Sequence, residues 1–392
     1  MDYRNWIGFF ILGTINNLPY VIVTSAASTI ADSFDKRNLV GLVLAANVGL
    51  SAVAKALNGF LLLKTPYWCR FLANGFIMWA GLFGVAYAFN FYFALSCIIF
   101  VGGSAAFGEN VALGFLKHYP SKLVNAWSSG TGMAGLLGSS IYVAFGCYVD
   151  NSSDKKDQLK TLTKYSFLLT TPIVLLYLAA YFFILRKPEP VPYESINNQD
   201  DNGQSDLKTD TTNSIQDVPT EHGCRRVLRC LKLVLWLSAN LAAVYFFEYI
   251  VQACASKVRP EKDYNTGCPE LYASLQLCYQ ASVFVSRSSI QILPIHRVEV
   301  LSVLQAINMV LWMTDVPYKY LPVYVLPVLM VYVGLLGGAS YVNIFYRLLN
   351  EESYSGKDRE LCINIAALFI TVGILFGTGF ETIMAATAFK ND

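Results

Sequence analysis

Long apolar stretches, each near twenty residues and crossed by few charges, alternate along this chain with short polar connections. An α-helix needs about 20 apolar residues to cross a bilayer. Eleven spans of that kind are predicted, at roughly 6–31, 39–63, 71–90, 92–117, 123–148, 165–185, 231–254, 271–292, 298–315, 320–347 and 360–389. A membrane barrel would read instead as ten-residue segments of alternating polarity, which the sequence lacks. The pattern therefore predicts an all-α polytopic membrane protein, since a backbone in lipid must satisfy its own hydrogen bonds. The first span has features of a cleaved leader, with Arg4 ahead of the apolar run and small residues at Ser25-Ala-Ala27. Its length and its internal Asn16, Asn17 and Pro19 argue for a retained helix. The span at 271–292 contains Arg287 and the one at 298–315 is short, so these two are the least regular.

One long stretch breaks the alternation. From Pro188 to Cys224 the chain is rich in Asn, Asp, Gln, Ser and Thr and has no apolar period, so it cannot bury enough surface to fold. It predicts a disordered linker over 188–230 with a basic end, between a six-helix bundle at 1–187 and a five-helix bundle at 231–392. A six-plus-five division resembles the major-facilitator architecture, in which two related bundles hold a binding site between them. The eleven-span form is similar to that of equilibrative nucleoside transporters. The connector Lys64-Thr-Pro-Tyr-Trp-Cys-Arg70 lacks the acidic motif that many major facilitators carry there.

Charge distribution adds an orientation. Arg4, Lys64, Arg70, Lys117, Lys122, Arg186, Lys187, Arg225, Arg226, Arg229, Lys232, Arg347, Lys357 and Arg359 all fall on one side of the eleven-span arrangement. The positive-inside rule makes that side, and the N-terminus with it, cytoplasmic. Basic residues on the other side are offset by Asp150, Asp154, Asp157, Glu261 and Asp263. The Asn-x-Ser/Thr sequon at Asn151 then lies on the luminal side, where a glycan can be attached. Tyr193-Glu-Ser-Ile196 lies in the cytoplasmic linker and fits a tyrosine-x-x-apolar sorting signal, a short pattern that chance also produces. If it is read, trafficking adaptors are partners of the 188–230 loop.

Composition then excludes function classes. Hydrophobic residues make up 55% of the chain and charged residues 14%, and no nucleic-acid partner is expected. The three histidines, His118, His222 and His296, are not in HExxH spacing, and neither GxSxG nor a phosphate loop is present. No enzyme activity, metal site or cofactor is expected. The nine cysteines include no CxxC pair. Cys254 and Cys268 border one luminal connection, where an oxidising compartment would permit a disulfide; sequence leaves their geometry open.

The run Trp127-Ser-Ser-Gly-Thr-Gly-Met-Ala-Gly-Leu-Leu-Gly138 places four glycines and three hydroxyls where a lipid-facing helix would carry leucine. Glycine in a membrane helix lets backbones approach closely. Two readings stay open: a tight helix–helix seam, or a seam that also lines a polar pocket with Ser128, Ser129 and Thr131. This run resembles the signature of the battenin family, the membrane proteins of juvenile neuronal ceroid lipofuscinosis. Further blocks resemble the same family in order: Gly13-Thr-Ile-Asn-Asn-Leu-Pro-Tyr20, Gly108-Glu-Asn110 with Tyr119-Pro120, Val244-Tyr-Phe-Phe-Glu-Tyr249, Tyr279-Gln280 with Ser286-Arg-Ser-Ser289, and Leu335-Leu-Gly-Gly-Ala-Ser-Tyr-Val-Asn343. The likeness fades after Gly356.

Five ionisable residues lie deep in apolar spans: Lys55, Glu109, Glu248, Arg287 and Glu381. Such residues usually face a cavity or one another. They are either structural ion pairs, such as Lys55 with a glutamate, or a substrate site in which Lys55 and Arg287 hold an anion. Glu109 and Glu248 would balance that charge or carry a proton, which suits proton-linked transport out of an acidic lumen. Asn16, Asn17, Tyr20, Tyr245, Gln280, Tyr341 and Asn343 add hydrogen-bonding capacity within the membrane. Residue chemistry alone does not separate a phosphodiester from a carboxylate. The battenin resemblance implies glycerophosphodiesters, exported across a lysosomal or vacuolar membrane. The same resemblance leaves transport of basic amino acids, or a non-transporting role in trafficking and organelle pH, as alternatives.

Overall fold

The computed structural model describes residues 3–36, 39–58, 62, 65–120, 122–149, 155–186, 223–255, 258–259, 271–351, 354 and 358–387. Helix follows helix in the order that the hydropathy pattern predicts. α1 (Tyr3–Ser25) continues past a break at Ala26 into α2 (Ala27–Ser33). α3 (Val40–Gly49) and α4 (Ser51–Ala56) form one interrupted span, followed by α5 (Tyr67–Ala86), α6 (Phe91–Phe115) and α7 (Leu123–Val149). α8 (Lys155–Thr170) gives way to α9 (Ile173–Ala179) at Thr171-Pro172, where proline has no N–H to continue the ladder. The remaining helices are α10 (Gly223–Ala255), α11 (Leu271–Ser288), α12 (Val298–Tyr318), α13 (Leu326–Asn350) and α14 (Arg359–Thr387).

Local chemistry sets the ends. Asn90 caps α6 by accepting a 2.7 Å hydrogen bond from the Phe93 amide. α12 runs on to Tyr318 and stops where Lys319 turns to φ 50, its N–H returning to the Asp315 carbonyl at 2.8 Å. α10 begins at Gly223, inside the stretch assigned from sequence to the basic end of the linker. Arg226 and Arg229 there are held by Asp358, at 2.6 and 2.7 Å, which gives this extension a partner that hydropathy does not register. Residues 187–222 lie outside the described part of the chain, so Tyr193, Ile196 and most of the linker do too. The same holds for Asn151 and Cys268, whereas Cys254 is described and buried.

The interior is mostly apolar but holds many polar groups, and the outside is greasy. Phe76, Trp79 and Phe83 on α5, Trp236 on α10 and Val303, Ile307 and Val310 on α12 stand exposed. Asn16, Asn74, Asn110, Gln305 and Asn308 are buried. Among the described residues, eight helices are long and apolar enough to cross a membrane. Those eight do not include α3–α4, α7 or α11, the segments that carry Lys55, Thr131 and Arg287 and turn polar positions inward. The chain is a multi-pass membrane protein.

Within the first six spans α1 packs on α7, and α6 on α3 and α5; in the remainder α10 packs on α14 and α12, and α11 on α13. The two groups meet along α7–α11 and where α14 crosses α6 and α4. The glycine-rich run makes both crossings of α7. A Cβ on Gly130 would stand 2.2 Å from the Phe10 carbonyl oxygen of α1, and one on Gly132 would stand 2.7 Å from Phe284 Cα of α11. Small residues on two faces of one helix thus let α7 touch both groups at backbone distance.

Candidate functional site

A cavity of about 130 Å³ lies between the two groups of helices. α10 supplies Tyr245, Glu248, Tyr249 and Gln252, spaced so that they share one helical face. α11 supplies Gln276, Tyr279, Gln280, Val283 and Arg287 in the same way. Asn17 and Tyr20 come from α1, Ser51 and Lys55 from α4, Glu109 from α6, and Thr131 from α7. On every helix the lining steps away from the level of Lys55, Glu109 and Arg287 in one direction. It runs down to Gly102 on α6 and Gln276 on α11, and up to Gln252 on α10 and Ile374 on α14. The cavity therefore extends toward the α5–α6 and α10–α11 connections and stops short of the other end.

Four charges lie in this wall, and they are not equivalent. Lys55 Nζ meets Glu109 Oε2 at 2.7 Å and donates to the Ala367 carbonyl of α14 at 2.9 Å. Glu109 Oε1 accepts from the Tyr341 hydroxyl at 2.9 Å, and that hydroxyl accepts in turn from Trp127 Nε1 at 3.2 Å. Lys55 and Glu109 thus neutralise each other. Arg287, by contrast, meets only neutral groups among the described residues. It donates to Thr131 Oγ1 at 2.7 Å and to the Tyr245 hydroxyl at 3.0 Å, and it lies 4.3 Å over the Tyr341 ring. Its Nε has no partner. Glu248 is 1% exposed; its Oε1 accepts from the Tyr279 hydroxyl and its Oε2 has no partner. The carboxylate fits because α13 has glycine opposite, since a Cβ on Gly337 would stand 1.9 Å from Oε2.

Of the residues singled out from sequence, Asn17, Tyr20, Lys55, Glu109, Thr131, Tyr245, Glu248, Gln280 and Arg287 line this one cavity. Tyr341 lies behind it, joined to both Glu109 and Arg287. Four others are placed elsewhere. Asn16 donates to the Ala105 carbonyl at 2.9 Å and accepts from Asn74 at 3.2 Å, tying α1 to α6 and α5. Asn343 accepts from the Ile295 amide at 2.7 Å and holds the turn before α12. Ser128 and Ser129 are buried in α7 away from the lining, so only Thr131 of the three hydroxyls reaches the cavity. The side chain of Glu381 lies outside the described part.

Sequence reading missed Tyr249, Gln252, Gln276 and Tyr279 as lining residues. For three of them the signal was present, since Tyr249, Gln252 and Gln276 each lie four positions from a residue already marked on the same helix; Tyr279 is next to Gln280 and two turns from Arg287. It also missed a second ionic cluster at the blind end of the cavity. Glu360, at the start of α14, accepts from Arg70 at 3.2 Å and from Lys117, while Arg70 donates to Asn58 at 3.1 Å and covers the Tyr67 ring at 4.0 Å. This cluster joins the two groups of helices.

The family model described as CLN3 protein matches residues 7–389. The chain belongs to the CLN3, or battenin, family. It is 37% identical to battenin of Dictyostelium discoideum, an alignment spanning 98% of this chain and 94% of that protein. It is 29% identical to battenin of Canis lupus familiaris, covering 95% and 88%. Among solved structures, the major facilitator proton:xylose symporter XylE superposes with a TM-score of 0.66 over 99% of this chain and 90% of its own, at 11% identity. The Escherichia coli fucose:proton symporter FucP superposes with a TM-score of 0.56 over 99% and 92%, at 16% identity. This battenin-family chain has the major-facilitator fold, with two bundles and the cavity between them.

Proposed function

We propose that this protein is a transporter that moves a small organic anion, of the glycerophosphodiester class, across a lysosomal or vacuolar membrane by alternating access. The observation that carries the reading is Arg287, a cation in the wall of an interbundle cavity whose partners are all neutral. A charge inside a membrane helix costs about 2.5–3.5 kcal/mol on insertion scales, and a ligand anion offsets that cost. A planar guanidinium also matches the two free oxygens of a phosphodiester. Lys55, neutralised by Glu109, sets the base of the site rather than offering a second free cation.

Two further features support transport. The cavity is blind at the end where Glu360 joins Arg70 and Lys117, and it extends only toward the other end. Access from one side at a time is what alternating access requires. The blind end is also the basic end, so in this reading it faces the cytoplasm, with the N-terminus, and the cavity faces the lumen. A net anion brought to this neutral wall needs a balancing proton, and Glu248, which pairs with no cation in the wall, is the group placed to take it. No catalytic role is assigned to any residue, and no cofactor.

Arg287→Lys tests the reading. It keeps the charge and loses the planar fork, so affinity for a glycerophosphodiester should fall at least tenfold with normal expression and an unchanged melting profile. Undiminished affinity would return Arg287 to a structural role.

A further inference from the structure

α12 has two unlike faces. Val303, Ile307 and Val310 stand exposed on one side. On the other, Gln305, Asn308, Trp312 and Asp315 follow one another at helical spacing and share one face, and none of the four is more than 1% exposed. Asp315 is fully engaged, pairing with Arg259 at 2.9 Å and accepting from the Leu321 amide at 2.8 Å. The three residues before it are not. Among the described residues, Gln305 Oε1, Asn308 Oδ1 and Nδ2, and Trp312 Nε1 have no partner. Gln305 Nε2 reaches the Val333 carbonyl of α13 at 3.5 Å, the limit of a hydrogen bond.

Burying four polar atoms bare is unfavourable, and leucine would fill the same face without that penalty. The set also indicates what meets it. Asn308 Nδ2 and Trp312 Nε1 are donors, whereas Gln305 Oε1 and Asn308 Oδ1 are acceptors. A cation would need acceptors alone, and an anion donors alone. Water serves both, and buried water bridges groups of this kind. The rises between neighbouring members along α12, roughly 4.5 to 6 Å, are of the order that one bridging water spans.

The inner end of this line is Glu248. Its unpartnered Oε2 lies against Gly337, where a Cβ would stand 1.9 Å away. In an α-helix the Val333 carbonyl, which Gln305 reaches, accepts from the N–H of residue 337. Glu248 and Gln305 therefore meet the same turn of α13. The outer end is the Arg259–Asp315 pair, beside the α10–α11 connection toward which the cargo cavity also extends.

We infer that a file of bound waters runs along this face of α12, from the Arg259–Asp315 pair to Glu248, and carries protons to that carboxylate by a route separate from the cargo cavity. The inference rests on the proton balance assigned to Glu248 above and adds the path by which the proton arrives. A proton enters as hydronium at the Asp315 end, passes from water to water and ends on Glu248 Oε2 as a neutral carboxylic acid; it leaves by the reverse route. The amides and the indole order the waters and are not themselves protonated. Glu248 is faced by Tyr279 and Arg287 of α11, Tyr20 of α1, and Tyr245 and Tyr249 of α10 itself. Tyr341 of α13 lies behind Arg287, the Lys55–Glu109 pair of α4 and α6 stands across the cavity, and α14 turns Thr371 and Ile374 toward it. A separate route lets Glu248 exchange its proton while cargo fills the cavity.

The test uses the full-length protein in liposomes with sn-glycero-3-phosphoglycerol, an anionic diester, as the probe. Two fluxes are compared: counterflow of labelled diester at equal pH on both sides, and accumulation driven by an imposed pH gradient. Asn308→Leu and Gln305→Met keep the side-chain volume and remove the polar atoms. Each should keep counterflow within twofold of the wild type and lower gradient-driven accumulation at least fivefold. A second arm needs no variant and decides the matter where a variant fails to fold. X-ray radiolysis makes hydroxyl radicals from bound as well as bulk water, so it should label Trp312 in the wild type although that residue is 0% exposed. Unlabelled Trp312, equal losses of both fluxes, or no loss of either would overturn the inference and leave the anion reading standing. A wild type that shows counterflow but ignores the pH gradient would overturn the proton balance and this path with it, and a wild type without counterflow would overturn the anion reading as well.

Discussion

Removing either member of the Lys55–Glu109 pair should cost more than removing both. The side chains are 3% and 15% exposed and meet at 2.7 Å. In Glu109→Gln, Lys55 loses its counter-charge and keeps only neutral acceptors, the Ala367 carbonyl at 2.9 Å and an amide oxygen, for a full charge. In Lys55→Met, Glu109 keeps only the Tyr341 hydroxyl at 2.9 Å. Leaving one charge of a buried pair alone costs about 3–5 kcal/mol, and the partial exposure of Glu109 places these two variants near 3 kcal/mol. The double variant, Lys55→Met with Glu109→Gln, buries no bare charge and should cost less than either single, a coupling of about 3 kcal/mol or more. Thermal unfolding of the purified protein, followed by tryptophan fluorescence, reads the cycle. Both singles should melt well below the wild type and the double should recover most of the loss. Additive losses would show that the two charges do not neutralise each other, and the charge count behind the anion site would fail.

Three other outcomes follow from particular contacts. Gly130→Val drives side-chain atoms into the Phe10 carbonyl, already 2.2 Å from an added Cβ, and should lower the yield of folded protein, with a stability loss of about 3 kcal/mol or more, whereas Gly49→Ala, with open space around it, should be silent. Glu360→Gln removes the negative charge shared by Arg70 and Lys117 and should raise hydrogen exchange in residues 116–118 and at the start of α14, leaving the α7–α11 crossing unchanged. Tyr193→Ala with Ile196→Ala should shift the protein toward the cell surface without changing its melting profile; unchanged localisation would remove the sorting motif from the account.

Much of this molecule is legible in its sequence because lipid imposes one solution on an apolar twenty-residue span. The order of the spans follows from hydropathy alone. The broken helices were not marked: the interruption at Leu50 directly follows Gly49, which stands in open space, while the one at Ala26 has no breaker beside it. Nine cavity residues were marked from polarity within apolar spans, because a polar group in lipid must find a partner. Asn16 and Asn343 carry the same signal and spend it on backbone carbonyls and amides, a distinction that only coordinates make. The Glu360 cluster escaped notice because charges near span ends are expected to reach the interface, and sequence does not say that Arg70, Lys117 and Glu360 converge.

The most direct test of the central claim is flux by the purified protein alone, reconstituted in sealed liposomes and loaded with a glycerophosphodiester. The account predicts saturable counterflow of labelled diester, stopped by Arg287→Ala and insensitive to the absence of any cytosolic factor. No flux of any small anion through well-folded protein would contradict it, and would favour a battenin-family protein that organises trafficking through the 188–230 segment.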